Sequence, residues 1–197
     1  MEDKKILTHQ ESLDLIAKTI NKAKEDYQST GISALLWGSL ITFCSLVSFL
    51  NYYLRWPVLN YIWFLNIAVV IPQAVLFRKE EKNKKVKGYS DDLIGGIWIG
   101  FGIAVFLVFC LGNIRYIPHI DSLYLVLFGI PTFATGYGCG FRAMTIGGIA
   151  CWIFAVLSMY SPYPYSMLYY AAAALLAWFI PGLVLRRRYQ KAKMQHV

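Results

Sequence analysis

Charge is what this chain has least of. Only 15% of its 197 residues are Asp, Glu, Lys or Arg, against roughly 25% in an average soluble domain. Long stretches carry no ionised side chain: Asp26 to Arg55, Arg55 to Arg78, Asp92 to Arg115 and Asp121 to Arg142. A further 43 residues separate Arg142 from Arg186 without one. Apolar and aromatic residues make up 57% of the chain. A soluble domain of this size cannot hide that much apolar surface. A disordered chain, a secreted disulfide scaffold and an ordinary cytosolic enzyme are thereby excluded.

Cysteine is sparse too. Cys44, Cys110, Cys139 and Cys151 fall in or at the ends of the apolar stretches. No C-x-x-C pair and no neighbouring His accompanies them, so they read as packed thiols and no metal site is expected. There is no H-E-x-x-H, nucleophile elbow, P-loop or pair of catalytic carboxylates. The reading is therefore of a non-enzyme that needs no cofactor. The apolar stretches also lack ionisable side chains in their interiors, which counts against a proton-driven pump.

What is present is apolar sequence in lengths that suit a bilayer. A hydrocarbon core of about 30 Å takes about 20 residues of helix. The spacing predicts an all-α integral membrane bundle with six transmembrane helices, at 32–54, 57–77, 93–113, 121–140, 143–160 and 166–185. The last charge-free run is divided in two by Ser161-Pro162-Tyr163-Pro164-Tyr165-Ser166, a turn-forming and interfacial string. The continuous runs do not alternate as barrel strands would, and helices satisfy their own backbone groups in lipid.

With six crossings, 17 of the 19 lysines and arginines fall on one side, leaving only Arg55 and Arg115 on the other. The positive-inside rule then places both termini in the cytoplasm. The net charge of +8 is read as a topology signal, and nucleic acid is not an expected partner. The polar first 30 residues give no expectation of a cleaved leader.

Residues 1–31 read as an amphipathic cytoplasmic helix. Thr8-His9-Gln10-Glu11 fits a capping box, and Leu13, Ile16, Ile20, Ala23 and Tyr27 recur at helical spacing beside Lys18, Lys22 and Lys24. Gly31 is the expected stop. Such a helix suits anionic lipid at the cytoplasmic face, the mouth of the bundle or a protein partner. Residues 186–197 form a basic cytoplasmic tail.

Prolines recur inside the second, fourth and sixth spans at Pro72, Pro131 and Pro181. Each follows a glycine in the preceding span (Gly38, Gly96 and Gly148) by 34, 35 and 33 residues. This pattern predicts three copies of one helical hairpin, repeated about an axis along the membrane normal. Each proline frees the carbonyl four residues earlier, at Ala68, Leu127 or Ala177. Three such kinks could surround a polar pocket lined by Asn66, Gln73 and Thr132. The alternative, which the sequence favours, is that the kinks splay helices for packing and local backbone adjustment meets the carbonyls.

Gly96-x-x-x-Gly100, Gly136-x-x-x-Gly140 and Ala171 to Ala174 offer thin faces for close approach, within the bundle in preference to a homo-oligomer. Trp37, Trp56 and Trp98, with Tyr52, Tyr53, Tyr116, Tyr163 and Tyr165, fit interfacial belts. Thr135-Gly136-Tyr137-Gly138 has the letters of a potassium filter, but it ends a span, and Gly138 and Gly140 suit a turn into Arg142. Arg115, His119 and Asp121 share an outer turn with Ser122. Neighbours on a starting helix do not face one another, and Asp121 is expected to cap or charge the fourth span.

Several segments together resemble a group of short bacterial multi-pass membrane proteins. They are Glu11 to Ile16, Gly31 to Gly38 with its Leu35-Leu36-Trp37-Gly38 ending, Ile71-Pro72-Gln73, and Trp178-Phe179-Ile180-Pro181-Gly182 with Arg186 to Arg188. The resemblance covers most of the chain. It implies bacterial origin and placement in the inner membrane, and it carries no activity and no site residues. The leading functional expectation is a scaffold, sensor or regulatory partner acting through a basic cytoplasmic face. The alternative is a small solute or ion transporter or channel lined by the proline-kinked helices. Expected partners are the bilayer and its anionic lipid, with a protein partner at the cytoplasmic face and a second copy of the chain left open.

Overall fold

The structure is a computed structural model that describes residue 10, residues 30–83 and residues 89–195. The expected amphipathic helix over 1–31 and its capping box lie outside these residues apart from Gln10, Thr30 and Gly31. All regular structure among the described residues is helical. Helix α1 is Ile32–Leu54. A 3-10 segment, Pro57–Phe64, leads into α2, Leu65–Asn83. Then come α3, Tyr89–Ile114, α4, Ile120–Gly138, and α5, Arg142–Met159. The last rod is α6, Tyr165–Ala174, a π turn at Leu175–Phe179, and α7, Ile180–Gln195.

The six rods match the six expected spans, with four differences. The second span opens as a 3-10 segment behind Pro57. The sixth contains a π turn just before Pro181, in which the Ile180 N–H bonds the Leu175 carbonyl. A proline supplies no N–H to the helical ladder, and a π turn is one local adjustment that accommodates it. Third, the charged segments are helical beyond the apolar spans: α2 runs through Arg78 to Asn83, and α7 through Arg186 to Gln195. Lys, Arg, Glu and Gln are good helix formers, so the expected basic tail continues the last rod.

The fourth difference concerns α4. Five rods are long and apolar enough to cross a membrane, and α4 falls short. Asp121, Ser122, Thr132, Thr135 and its glycines dilute its hydropathy. Yet α4 is packed extensively, above all against α5, and it buries Ser122, Leu125, Gly129, Pro131, Thr132, Thr135 and Gly136. Its polar side chains meet neighbouring helices.

The packing is uneven. Helix α1 lies on α6, the π turn and α7, while α5 touches α4, α6 and the π turn. Leu125, Cys151, Ala155, Tyr170, Ala174, Ala177 and Trp178 form the centre. By contrast, no residue is buried across 57–76 of the second rod or 92–114 of α3. Both are peripheral and predominantly apolar.

Glycines set the close approaches. A Cβ on Gly38 would lie 2.6 Å from the Phe179 nitrogen, and one on Gly148 would lie 2.7 Å from Phe133. Gly136 packs on Thr145, and Gly147 on Ala177. Gly96 and Gly100, expected to serve internal packing, instead meet nothing within 4 Å. The three glycines of the repeat pattern are therefore packed differently, and the closest helix pair, α4 with α5, joins two of the expected hairpins. Gly140 has φ +64° in the turn before Arg142, the role expected of it.

One end of the bundle gathers Gly31 against Gly182 and Arg186, Gln73 against Ser33, and Arg188 over the Phe141 ring at 5.3 Å. The other end gathers Asp121 with Ser166 and Tyr52 with Tyr163.

Candidate functional site

The six residues proposed for a polar pocket separate into different places. Thr132 is fully buried: its hydroxyl donates to the Phe128 carbonyl at 2.8 Å and accepts the Trp178 indole N–H at 2.9 Å. Pro131 and Pro181 are also fully buried, whereas Pro72 is exposed on α2. Gln73 donates to the Ser33 hydroxyl at 3.1 Å, and Asn66 donates to the Trp63 carbonyl at 2.8 Å. Their amide oxygens, Oε1 and Oδ1, find no partner. These residues do not line a shared cavity among those described. The void between Ile41, Phe128, Cys151, Tyr170 and Trp178 holds about 10 Å³, at the lower limit for a single water.

Sequence reasoning missed the use made of tryptophan. Four indole N–H groups bridge separate elements. Trp63 donates to the Ser48 hydroxyl, Trp98 to the Thr135 hydroxyl, Trp152 to the Val126 carbonyl and Trp178 to the Thr132 hydroxyl. They tie α1 to the 3-10 segment, α3 to α4, α5 to α4, and the π turn to α4. Where water is excluded, an indole N–H costs free energy unless it finds an acceptor. Trp98, expected in an interfacial belt, is thus a seam residue. Ser and Thr scattered through apolar stretches were the available signal.

The outer turn does not assemble its polar groups into a reactive set. His119 is exposed, with a left-handed backbone of φ 52°. The N-cap, His119, makes no side-chain capping bond, and Asp121 sits in the first turn of α4, where its charge favours the helix N-terminus as expected. It accepts the Ser166 hydroxyl at 3.1 Å, and its carbonyl accepts the Tyr170 hydroxyl at 2.8 Å. Ser122 is buried and its hydroxyl has no partner.

A cavity of about 360 Å³ opens at this end, lined by Asn51, Tyr52, Arg55, Pro57, Asn60 and Tyr163. It draws on α1, the 3-10 segment and the loop before α6. Arg55 ends α1 in a left-handed conformation, φ 53° and ψ 38°, which costs a side-chain-bearing residue roughly 1–2 kcal/mol. Two bonds hold the turn: the Arg55 N–H to the Asn51 carbonyl at 2.8 Å, and the Trp56 N–H to the Asn51 side-chain oxygen at 2.9 Å. Because that backbone N–H can only donate, the Asn51 amide is oriented. Its nitrogen then donates to the Asn60 side-chain oxygen at 2.8 Å. The Tyr52 and Tyr163 rings meet edge-on at 5.8 Å. Burial first, and the Asp121 carboxylate second, push the Tyr163 hydroxyl above its ordinary pKa, so it is protonated at neutral pH.

Among the described residues no cluster of His, Cys, Asp and Glu could hold a metal ion. No family model, curated protein or solved structure matches the chain.

Proposed function

We propose that the chain is a multi-pass protein of the bacterial cytoplasmic membrane, with six crossings and both termini in the cytoplasm. It acts there as a non-enzymatic scaffold, sensor or regulatory partner through its basic face. The observation that carries this reading is the segregation of charge, with 17 of 19 lysines and arginines assigned to one side. Arg142 and Arg186 to Arg188 belong to one end of the bundle, beside Gly31 at the start of α1. Anionic lipid attracts such a surface, each cation contributing about 1 kcal/mol near the headgroups. A protein partner with an acidic surface would meet the same face. The peripheral rods, unburied and predominantly apolar, suit a lipid surround. The expected amphipathic helix over 1–31 adds five further lysines to that face.

Crosslinking and affinity capture from native membranes tests this role. The full chain is compared with a variant in which Arg186, Arg187 and Arg188 are replaced by Gln. Recovery of the same specific partner by the full chain, reduced at least severalfold in the variant, is expected. Equal recovery by both, or no specific partner for either, contradicts it.

A further inference from the structure

We infer that the cavity beside Arg55 is a binding site for a phosphate ester. Its lining holds one guanidinium and no carboxylate; the Asp121 carboxylate acts on Tyr163 from outside the lining, so Arg55 is the charge that meets an anion directly. A guanidinium presents a planar fork that matches the oxygens of phosphate. The Asn51–Asn60 pair orients the Asn60 amide: its oxygen accepts from Asn51 at 2.8 Å, which leaves both N–H groups of Asn60 as donors for a ligand. The Tyr163 hydroxyl, protonated for the reasons given above, is a further donor. The cavity, at about 360 Å³, falls in the range of small-molecule sites, roughly 300–1,000 Å³, so it has room for the esterified group as well as the phosphate.

Two sources supply this chemistry: a soluble phosphate ester, or the headgroup of a phospholipid in the leaflet that surrounds this end of the bundle. The headgroup source rests on the membrane reading, and the soluble source does not. Tyr52, which lines the cavity, and its chain neighbours Tyr53 and Trp56 are exposed aromatics of the kind found at membrane interfaces.

The test uses the full chain in a phosphate-free maltoside detergent. In one arm, sn-glycerol 3-phosphate is titrated and followed by tryptophan fluorescence. In the other, phosphatidylglycerol is added to mixed micelles and retained lipid is counted by native mass spectrometry. Saturable binding in either arm is expected, weakened at least tenfold by Arg55→Asn. Asparagine accepts the left-handed backbone, so that variant removes the charge and keeps the turn. Tyr163→Phe removes a donor without touching the turn and is expected to weaken binding severalfold. Absence of binding in both arms, or binding to Arg55→Asn and Tyr163→Phe equal to wild type, overturns the site. A chain that remains soluble without detergent and still binds glycerol phosphate through Arg55 upholds the site and contradicts the membrane reading. A chain embedded in membranes that binds neither probe does the reverse.

Discussion

Thr132 shows what a single hydroxyl does in a bundle with little polar chemistry. It returns a hydrogen bond to the carbonyl of its own helix, as threonine does in helices, and accepts one indole from the π turn. Thr132→Val keeps the shape and leaves the Trp178 N–H without an acceptor. The expected loss is about 1–2 kcal/mol, in line with interhelical bonds and buried unsatisfied donors. Thr132→Ser retains the acceptor and is expected to lose less. Thermal unfolding in detergent checks the order. A Val variant as stable as wild type would remove the bond from the account. The cysteines offer a second comparison at this scale. Cys44 and Cys151 are buried, and Cys110 and Cys139 are half-exposed. A small thiol reagent on the folded protein should modify Cys110 and Cys139 and reach the other two only on unfolding. Early modification of Cys151 would contradict the packing at the centre.

Among elements, the boundaries were legible and the neighbours were not. Four charge gaps of about 20 to 30 residues locate one rod each, and the fifth, of 43 residues, holds two rods divided by the Ser161 to Ser166 string. Which rods are central does not follow. A soluble helix betrays its buried side by an apolar stripe, but these helices are apolar on every side, so hydropathy marks no face. The glycines carry part of the missing information, unevenly. Gly38 and Gly148 sit under Phe179 and Phe133, while Gly96 opens on nothing. Gly148→Leu should force the α4–α5 pair apart, costing about 1–3 kcal/mol as overpacking does, whereas Gly96→Leu should be nearly neutral. Equal losses at both positions, read by thermal unfolding, would show that Gly96 packs on something in the assembled protein. The candidate site was less legible than the fold. Thr132 was singled out for a pocket and proved to be a seam residue. The Arg55 cavity joins the neighbouring stretch Asn51 to Asn60 to Tyr163, more than 100 residues further along the chain, and no local motif announces that pairing.

At the scale of the whole molecule, five of the six rods are long and apolar enough to cross a membrane. Long apolar helices, indole N–H groups paired across seams and Arg142 and Arg186 to Arg188 at one end are each compatible with a bilayer. The molecule would then have two unlike faces: a basic one that meets the cytoplasm and an outer one with the cavity at Arg55. The most direct measurement of this account is sidedness. Single-cysteine variants on a background lacking the native four are prepared at Tyr116 and Gln190, both exposed and predicted to lie at opposite faces. Intact cells are then treated with a membrane-impermeant maleimide. Tyr116→Cys should label at once, and Gln190→Cys only after the membrane is permeabilised. Labelling in the opposite order, or a chain recovered folded and monodisperse in aqueous buffer without detergent, would contradict it.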